Sequence, residues 1–256
     1  MRVSCIQLAS SDRPPDEALG HALEQLQRAR GSDLLILPEL WPCGYFAFER
    51  YAAAAQPLDG PVVESLARKA RELGAFIHSG SMVEREGERL FNTSLLIDSA
   101  GKVLAHYRKI HPFGYHSDER RLVEEGNEVV SAATPWGRAG LAICYDLRFP
   151  ELFRRLVDQG AEVFLVASAW PAERLETWRL LCRTRALENQ AIMIATNAAG
   201  TSGDVALAGH SMIVDPWGCV LAEASDAETI LTAEVDLETV RQARRDFPAL
   251  ADRRLR

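Results

Sequence analysis

Apolar and polar positions alternate along this chain in two styles: short apolar runs, and longer stretches that are apolar at every third or fourth residue. The first style predicts strands and the second predicts amphipathic helices. Residues 2–8 read as a strand. Residues 16–30 read as a helix, with Leu19, Ala22, Leu23, Leu26 and Ala29 at helical spacing. Residues 33–37 form an apolar strand that Pro38 stops. A helix over 61–73 carries Pro61 in its first turn, and a strand over 75–80 follows. Residues 91–98 and 102–107 flank Ser99-Ala100-Gly101 as a hairpin.

The second half repeats the style. Strands over 128–132 and 139–143 surround a turn at Pro135-Trp136-Gly137, and a helix over 150–159 ends at Gly160. A strand over 162–167 precedes a helix over 173–188, apolar at Leu175, Trp178, Leu181, Cys182 and Ala186. Strands are predicted over 191–196, 210–214, 220–224 and 229–235, and the last twenty residues read as charged and irregular. Apolar runs mixed with hairpins predict an α/β fold with mixed sheets; two sheets face to face with helices outside would fit, and periodicity alone does not fix the number of layers. No linker, low-complexity tract or repeat interrupts the pattern.

With 256 residues and 47% hydrophobic content, the chain can build a sizeable core. The net charge of −7 disfavours a generally cationic binder of nucleic acid. The N-terminus lacks the apolar length of a signal peptide, and no stretch approaches the roughly twenty apolar residues of a membrane span. The expectation is a cytoplasmic protein with no membrane partner. Cys5, Cys43, Cys144, Cys182 and Cys219 are scattered and form no Cys-x-x-Cys pair, which argues for free thiols rather than disulfides or a zinc site.

Three chemically capable side chains each stand just beyond an apolar strand: Glu39, Lys109 and Cys144. In layered α/β proteins the carboxyl ends of strands face the functional crevice. A thiol at a strand-to-helix turn is reachable, and a helix N-terminus favours its thiolate. Thiol, carboxylate and ammonium together make a nucleophile, a base and an oxyanion stabiliser. Singly, each has a plainer reading: Glu39 as a surface acid, Lys109 as part of a solvated basic cluster with Arg108 and His111, Cys144 as packing. The functional reading explains all three placements at once. Cys43, in Trp41-Pro42-Cys43-Gly44-Tyr45, is a rival thiol close to Glu39 but lacks the strand-end setting. Cys182 lies on an apolar helix stripe, and Cys5 and Cys219 fall in strands; all three read as core.

Leu35-Ile36-Leu37-Pro38-Glu39-Leu40, Tyr107-Arg108-Lys109-Ile110-His111-Pro112 and Ile143-Cys144-Tyr145-Asp146-Leu147-Arg148-Phe149-Pro150-Glu151 stand in order along the chain. They resemble the glutamate, lysine and cysteine motifs of the nitrilase superfamily of carbon–nitrogen hydrolases. The similarity extends to Gly209-His210-Ser211 and Asp215-Pro216-Trp217-Gly218. The resemblance implies a four-layer α-β-β-α sandwich with two mixed sheets, one carbon–nitrogen hydrolase domain over 1–256, no metal, no organic cofactor, and a homo-oligomer of at least two copies. It implies Glu39 as general base, Lys109 as oxyanion stabiliser and Cys144 as nucleophile. Glu119, within Asp118–Gly126, matches a second active-site glutamate; its plainer reading is a solvated loop acid.

The backbone N–H of Tyr145 can join Lys109 at the oxyanion. Arg148 either pairs with a substrate carboxylate or braces its helix through Asp146 or Glu151. Trp170, Tyr45 and Phe113 are candidate pocket walls. Asn197 resembles a family position near the pocket, or caps a turn. The implied activity is hydrolysis of a small primary amide to carboxylate and ammonia through a thioester. Cys-Tyr-Asp-x-Arg-Phe is similar to the branch acting on ω-amides of small carboxylic acids and on related deaminated peptides. The alternatives are an N-carbamoyl amide hydrolase, whose relatives place two arginines where Leu147-Arg148 stand; a nitrilase, which carries Trp-Glu where Tyr145-Asp146 stand; and a non-catalytic binding protein, which would be expected to lose one of the three groups.

Overall fold

The computed structural model describes residues 1–10 and 13–255. Two mixed sheets make its centre. The first runs in the order Thr229–Glu234, Arg2–Gln7, Leu34–Ile36, Phe76–His78, Arg89–Ile97, Met82–Glu86, and Val103–Arg108 also pairs with Arg89–Ile97. Arg2–Gln7, Leu34–Ile36 and Phe76–His78 are parallel, and the flanking pairs are antiparallel. The second runs Val220–Glu223, Met212–Val214, Ile192–Asn197, Val163–Ser168, Gly137–Ile143, Ser131–Thr134. Its three middle strands from Gly137–Ile143 to Ile192–Asn197 are again parallel.

The strand period of two sorts side chains between two cores. Val3, Cys5, Leu34, Ile36 and Leu96 turn inward and pack with Leu141, Leu165 and Ile194 of the second sheet. Their neighbours Ile6, Leu35, Leu37, Leu95 and Ile97 turn outward onto helices Pro15–Arg28 and Pro61–Leu73, meeting Leu26 and Leu66. Helices Pro150–Asp158 and Leu175–Asn189 cover the other sheet through Phe153, Leu156, Trp178 and Cys182. Both faces of each central strand are thus covered, which is why those strands read as unbroken apolar runs. The layering is α-β-β-α, as the sequence implied.

Several elements differ from the expected pattern. Residues 238–246 of the charged tail form a helix, Glu238–Asp246. It buries only Val240 and Ala243, and is docked by Gln190 Nε2 on the carbonyls of Ala243 and Phe247 and by Arg244 on that of Ala161. Two apolar positions among nine are too few for periodicity to register. Met82–Glu86 is an extra strand, paired with Arg89–Ile97 across Gly87. A small third sheet joins Ala9–Ser10, Ala199–Ser202 and Val205–Ala206. Cys219 is exposed in the turn before Val220–Glu223 and is not a core residue.

The turn that carries Glu39 is held by a close backbone approach. Gly80 has φ +67°, and a Cβ there would lie 2.0 Å from the Pro38 carbonyl oxygen. Ser81 N–H donates to that carbonyl at 3.1 Å, Ser81 Oγ accepts from Leu40 N–H at 3.0 Å, and Trp41 Nε1 donates to the Ser79 carbonyl at 2.8 Å. Gly80→Ala must therefore push the Glu39 turn aside. Gly87, at φ +62° with open space for 4 Å around an added methyl group, need only accept the backbone strain. In urea denaturation Gly87→Ala is expected to lose about 1 kcal/mol, and Gly80→Ala more than about 2 kcal/mol. Equal losses would show that the contact with Pro38 is not what demands glycine at 80.

Candidate active site

Glu39, Lys109 and Cys144 each stand at the end of a strand, the first two from one sheet and the third from the other. The facing of the sheets brings them to one small interior space, and all three are buried. Lys109 Nζ donates to Glu39 Oε1 at 2.8 Å and to both oxygens of Glu119 at 2.8 Å. Glu119, in the short helix Glu119–Leu122, is fully buried, so the solvated-loop reading does not hold. Asn92 Nδ2 bridges the carboxylates, at 2.9 Å from Glu39 and 2.7 Å from Glu119. Tyr45 OH and the Phe113 N–H also donate to Glu119 Oε2, at 2.9 and 2.7 Å. Glu39 Oε2 has no hydrogen-bond partner of ordinary geometry among the described residues, yet the Glu39 carboxylate and the Cys144 thiol lie near enough to shift each other's ionisation.

Burial raises the Glu39 carboxyl above 4.5; Lys109 pulls it back and the Glu119 charge adds to the rise. Burial works against the Lys109 ammonium, but the charges of Glu119 and Glu39 more than offset it and hold the amine protonated. Burial, then the Glu39 charge, pushes the Cys144 thiol well above 9.0. The expected stabilisation of a thiolate by a helix start is not what governs this cysteine. Residues Cys144–Arg148 form a 3₁₀ turn, and the helix begins only at Pro150. At rest the sulfur is a protonated thiol beside a carboxylate.

The cysteine turn is strained and braced. Cys144 has φ +49°, in the left-handed region that L-residues avoid. Asp146, fully buried, accepts from the Ile143 N–H at 2.8 Å and from Tyr107 OH at 2.6 Å, and faces His111 Nδ1 at 2.7 Å. His111 in turn stacks on Phe149, with ring centroids 3.7 Å apart. Tyr107 and His111 flank Lys109 in sequence, so Asp146 ties the cysteine turn to the lysine strand.

A narrow cleft opens onto Cys144, lined by Tyr45, Phe113, Tyr145, Arg148 and Trp170. All five were expected near the site, and Phe46 and Arg174 join them. Arg148 is exposed and lies 5.1 Å over the Trp170 ring; it has no ion-pair partner among the described residues, so it does not brace its helix through Asp146 or Glu151. The Arg174 guanidinium lies 5.4 Å from the Phe113 ring. The Trp170 indole N–H is buried and unpartnered among the described residues. Asn197 does not line the cleft. Its Oδ1 accepts from the Trp170 backbone N–H at 2.7 Å and its Nδ2 donates to the Gly209 carbonyl at 2.7 Å, so it fixes the loop that presents Trp170. Cys43 is buried, with its thiol directed to the Leu40 carbonyl at 3.7 Å and burial raising it to about 12; it stands outside the cleft. Among the described residues no group of three His, Cys, Asp or Glu side chains is arranged to hold a metal ion.

Asn92, Asp146 and Arg174 were missed by sequence reasoning. Asn92 offered a signal: a polar Asn92-Thr93-Ser94 run set between apolar Leu90-Phe91 and Leu95-Leu96-Ile97 in one strand. Burying such groups demands partners, and Asn92 finds two carboxylates.

The family model for carbon-nitrogen hydrolases matches residues 2–245. A 2-oxoglutaramate amidase of Paenarthrobacter nicotinovorans is 38% identical over 231 residues, covering 87% of this chain and 79% of its own. A 2-oxoglutaramate amidase of Bacillus subtilis is 35% identical over 252 residues, covering 98% and 96%. The crystal structure of a CN-hydrolase superfamily protein from Xanthomonas campestris, with an arsenic adduct in its active site, superimposes with a TM-score of 0.93 at 30% identity, covering 100% of this chain and 98% of that one. With a match spanning nearly all of its length and a fold shared from end to end, the chain belongs to the carbon–nitrogen hydrolase family, within the nitrilase superfamily.

Proposed function

We propose that this chain is a cysteine-dependent ω-amidase, cleaving the terminal amide of a small carboxylic acid of the 2-oxoglutaramate type. The observation that carries the reading is the buried Glu39–Lys109–Glu119 cluster set against the Cys144 thiol. The names of the two amidase relatives support the substrate class, which is narrower than the small primary amide expected from sequence. Two guanidinium groups, Arg148 and Arg174, at an otherwise apolar and aromatic cleft support an anionic substrate tail.

The chemistry runs from the protonation states. As Cys144 Sγ attacks the amide carbon, its proton passes to Glu39. Lys109 and the Tyr145 N–H hold the developing oxyanion. Collapse breaks the C–N bond, and Glu39 returns the proton to the departing nitrogen, releasing ammonia and leaving a thioester. Water then attacks the thioester carbon, with Glu39 accepting its proton and passing it to sulfur as the C–S bond breaks. Glu119 keeps Lys109 charged and aimed throughout.

Cys144→Ala is expected to keep its fold and lose all measurable turnover; substantial residual ammonia release would remove the nucleophile role. Lys109→Ala should lower kcat by roughly 10²–10³-fold with little change in substrate affinity. A defect confined to KM would count against an oxyanion role. Because Glu39 must be ionised to take the thiol proton and its carboxyl is raised, the acid limb of the kcat/KM profile should fall at a pH above 4.5. An acid limb at or below that value would contradict the assignment of the base. Arg148→Gln should raise KM about tenfold or more for 2-oxoglutaramate but leave a neutral amide of the same length almost unaffected, the scale of one lost charge-assisted hydrogen bond. A panel that also includes carbamoyl compounds and nitriles, scored for ammonia and carbon dioxide, checks the reaction type. Preferred turnover of a carbamoyl compound would replace this reading.

A further inference from the structure

Behind Glu39 lies a second, narrow cavity with room for about one water-sized molecule at a time. Its wall runs from Glu39 and Trp41 at the buried end to Ser10, Arg13 and His21 at half-buried positions near the surface. Tyr45 and Ala169 line both this cavity and the Cys144 cleft, so the two spaces adjoin there. Glu39 borders the rear cavity, and Cys144 borders the cleft. Two buried oxygens without partners among the described residues, Glu39 Oε2 and Ser10 Oγ, belong to residues of the rear wall. Buried oxygens of this kind are satisfied by water wherever space allows.

We propose that the rear cavity is a passage for small polar molecules, bringing the hydrolytic water to Glu39 and carrying ammonia away, while the cleft serves the acyl group alone. The inference rests on the amidase reading above. Once the thioester has formed, the acyl chain occupies the cleft onto which Cys144 opens. A water must still arrive beside Glu39 to be deprotonated. The rear passage delivers it to that carboxylate without crossing the acyl group. Water's oxygen bonds to the thioester carbon, the C–S bond breaks, and the water proton passes through Glu39 to Sγ. Ammonia formed in the first step departs along the same wall, past Ser10 and His21.

The test separates deacylation from acylation. Ala18, half-buried on helix Pro15–Arg28, and Ala198, buried farther in, line the passage but not the cleft. Ala18→Leu and Ala198→Val narrow it at two depths. Acetyl-enzyme is made by brief exposure to p-nitrophenyl acetate, freed of ester by rapid desalting, and its decay is followed by intact mass. Both variants should acylate at the rate of the unsubstituted protein, read from phenolate release, and should deacylate about tenfold more slowly. Unchanged decay in both variants would overturn the passage. So would an equal fall in acylation and deacylation, which would mark damage to the cleft or the fold. Failure of the unsubstituted protein to form any acetyl-enzyme, or its formation undiminished in Cys144→Ala, would instead remove the thioester reading on which the passage depends.

Discussion

The Lys109 ammonium is sealed from solvent, and the site is organised around how that one charge is compensated. Burying an ion costs several kcal/mol, offset only by well-placed partners that are themselves satisfied. Glu39 and Glu119 supply those partners at 2.8 Å, and Asn92, Tyr45 and the Phe113 N–H supply donors to the carboxylates. Two carboxylates against one ammonium leave an excess of one negative charge. Lys109, Asn92, Tyr45 and Phe113 all donate to Glu119, whereas only Lys109 and Asn92 of these donate to Glu39, so the surplus is concentrated on Glu39. That is the carboxylate beside the thiol. Burial raises both Glu39 and Cys144, and the Glu39 charge adds to the rise at the thiol, so neither a free thiolate nor a weakly basic carboxylate waits in the resting site. In the proposed mechanism, proton transfer and attack by sulfur would thereby be coupled into one event.

Such a cluster has value only if the thiol is held against it, and the thiol comes from the other sheet. The backbone gives up stability to do so: Leu40 has φ +45° and Cys144 φ +49°, a conformation that costs of order 1–3 kcal/mol for each. Strain of this kind persists when surrounding bonds over-determine the geometry. At Cys144 the brace is Asp146, clamped between Ile143, Tyr107 and His111. At Leu40 it is the Gly80 loop, where only glycine admits the Pro38 carbonyl. Both braces link a turn on one strand to the neighbouring motif, so the distance between thiol and carboxylate is set by backbone and buried side chains rather than by mobile surface groups.

What could be read from the sequence was whatever repeats or stands at a strand end. Leu34 and Ile36 against Leu35 and Leu37 announced a strand covered on both faces, and Glu39, Lys109 and Cys144 stood where such strands stop. The polar residues that complete the site follow no period. Asn92 is a polar residue legible only as an exception, and Asp146 enters only as a possible partner of Arg148 until Tyr107 is found beside it. The helix Glu238–Asp246 escaped because its stability comes from Gln190 and Arg244 bonds to distant carbonyls, not from an apolar stripe. Cys219 was misjudged because it stands in the turn before an edge strand whose own apolar residues Val220 and Leu221 are exposed. Asn197 sits behind Trp170 rather than in the cleft, a distinction of depth that spacing does not carry.

Under the proposed ω-amidase activity, the charge surplus would also fix which way round a bifunctional substrate enters. A molecule with an amide at one end and a carboxylate at the other meets a net negative interior beside Cys144 and two guanidinium groups, Arg148 and Arg174, toward the mouth. Entering carboxylate-first would set like charges together in a poorly hydrated space, where repulsion is strong because little water screens it. Entering amide-first puts a neutral group against the cluster and leaves the anion beside the arginines. The walls between, from Tyr45, Phe113, Tyr145 and Trp170, are mostly apolar and favour neither end. On the proposed reading, orientation would be decided by the two electrostatic poles of the cleft, and the length of chain that spans them would select the amide. The buried Lys109 cluster and the arginines at the mouth would act in this way as one specificity device.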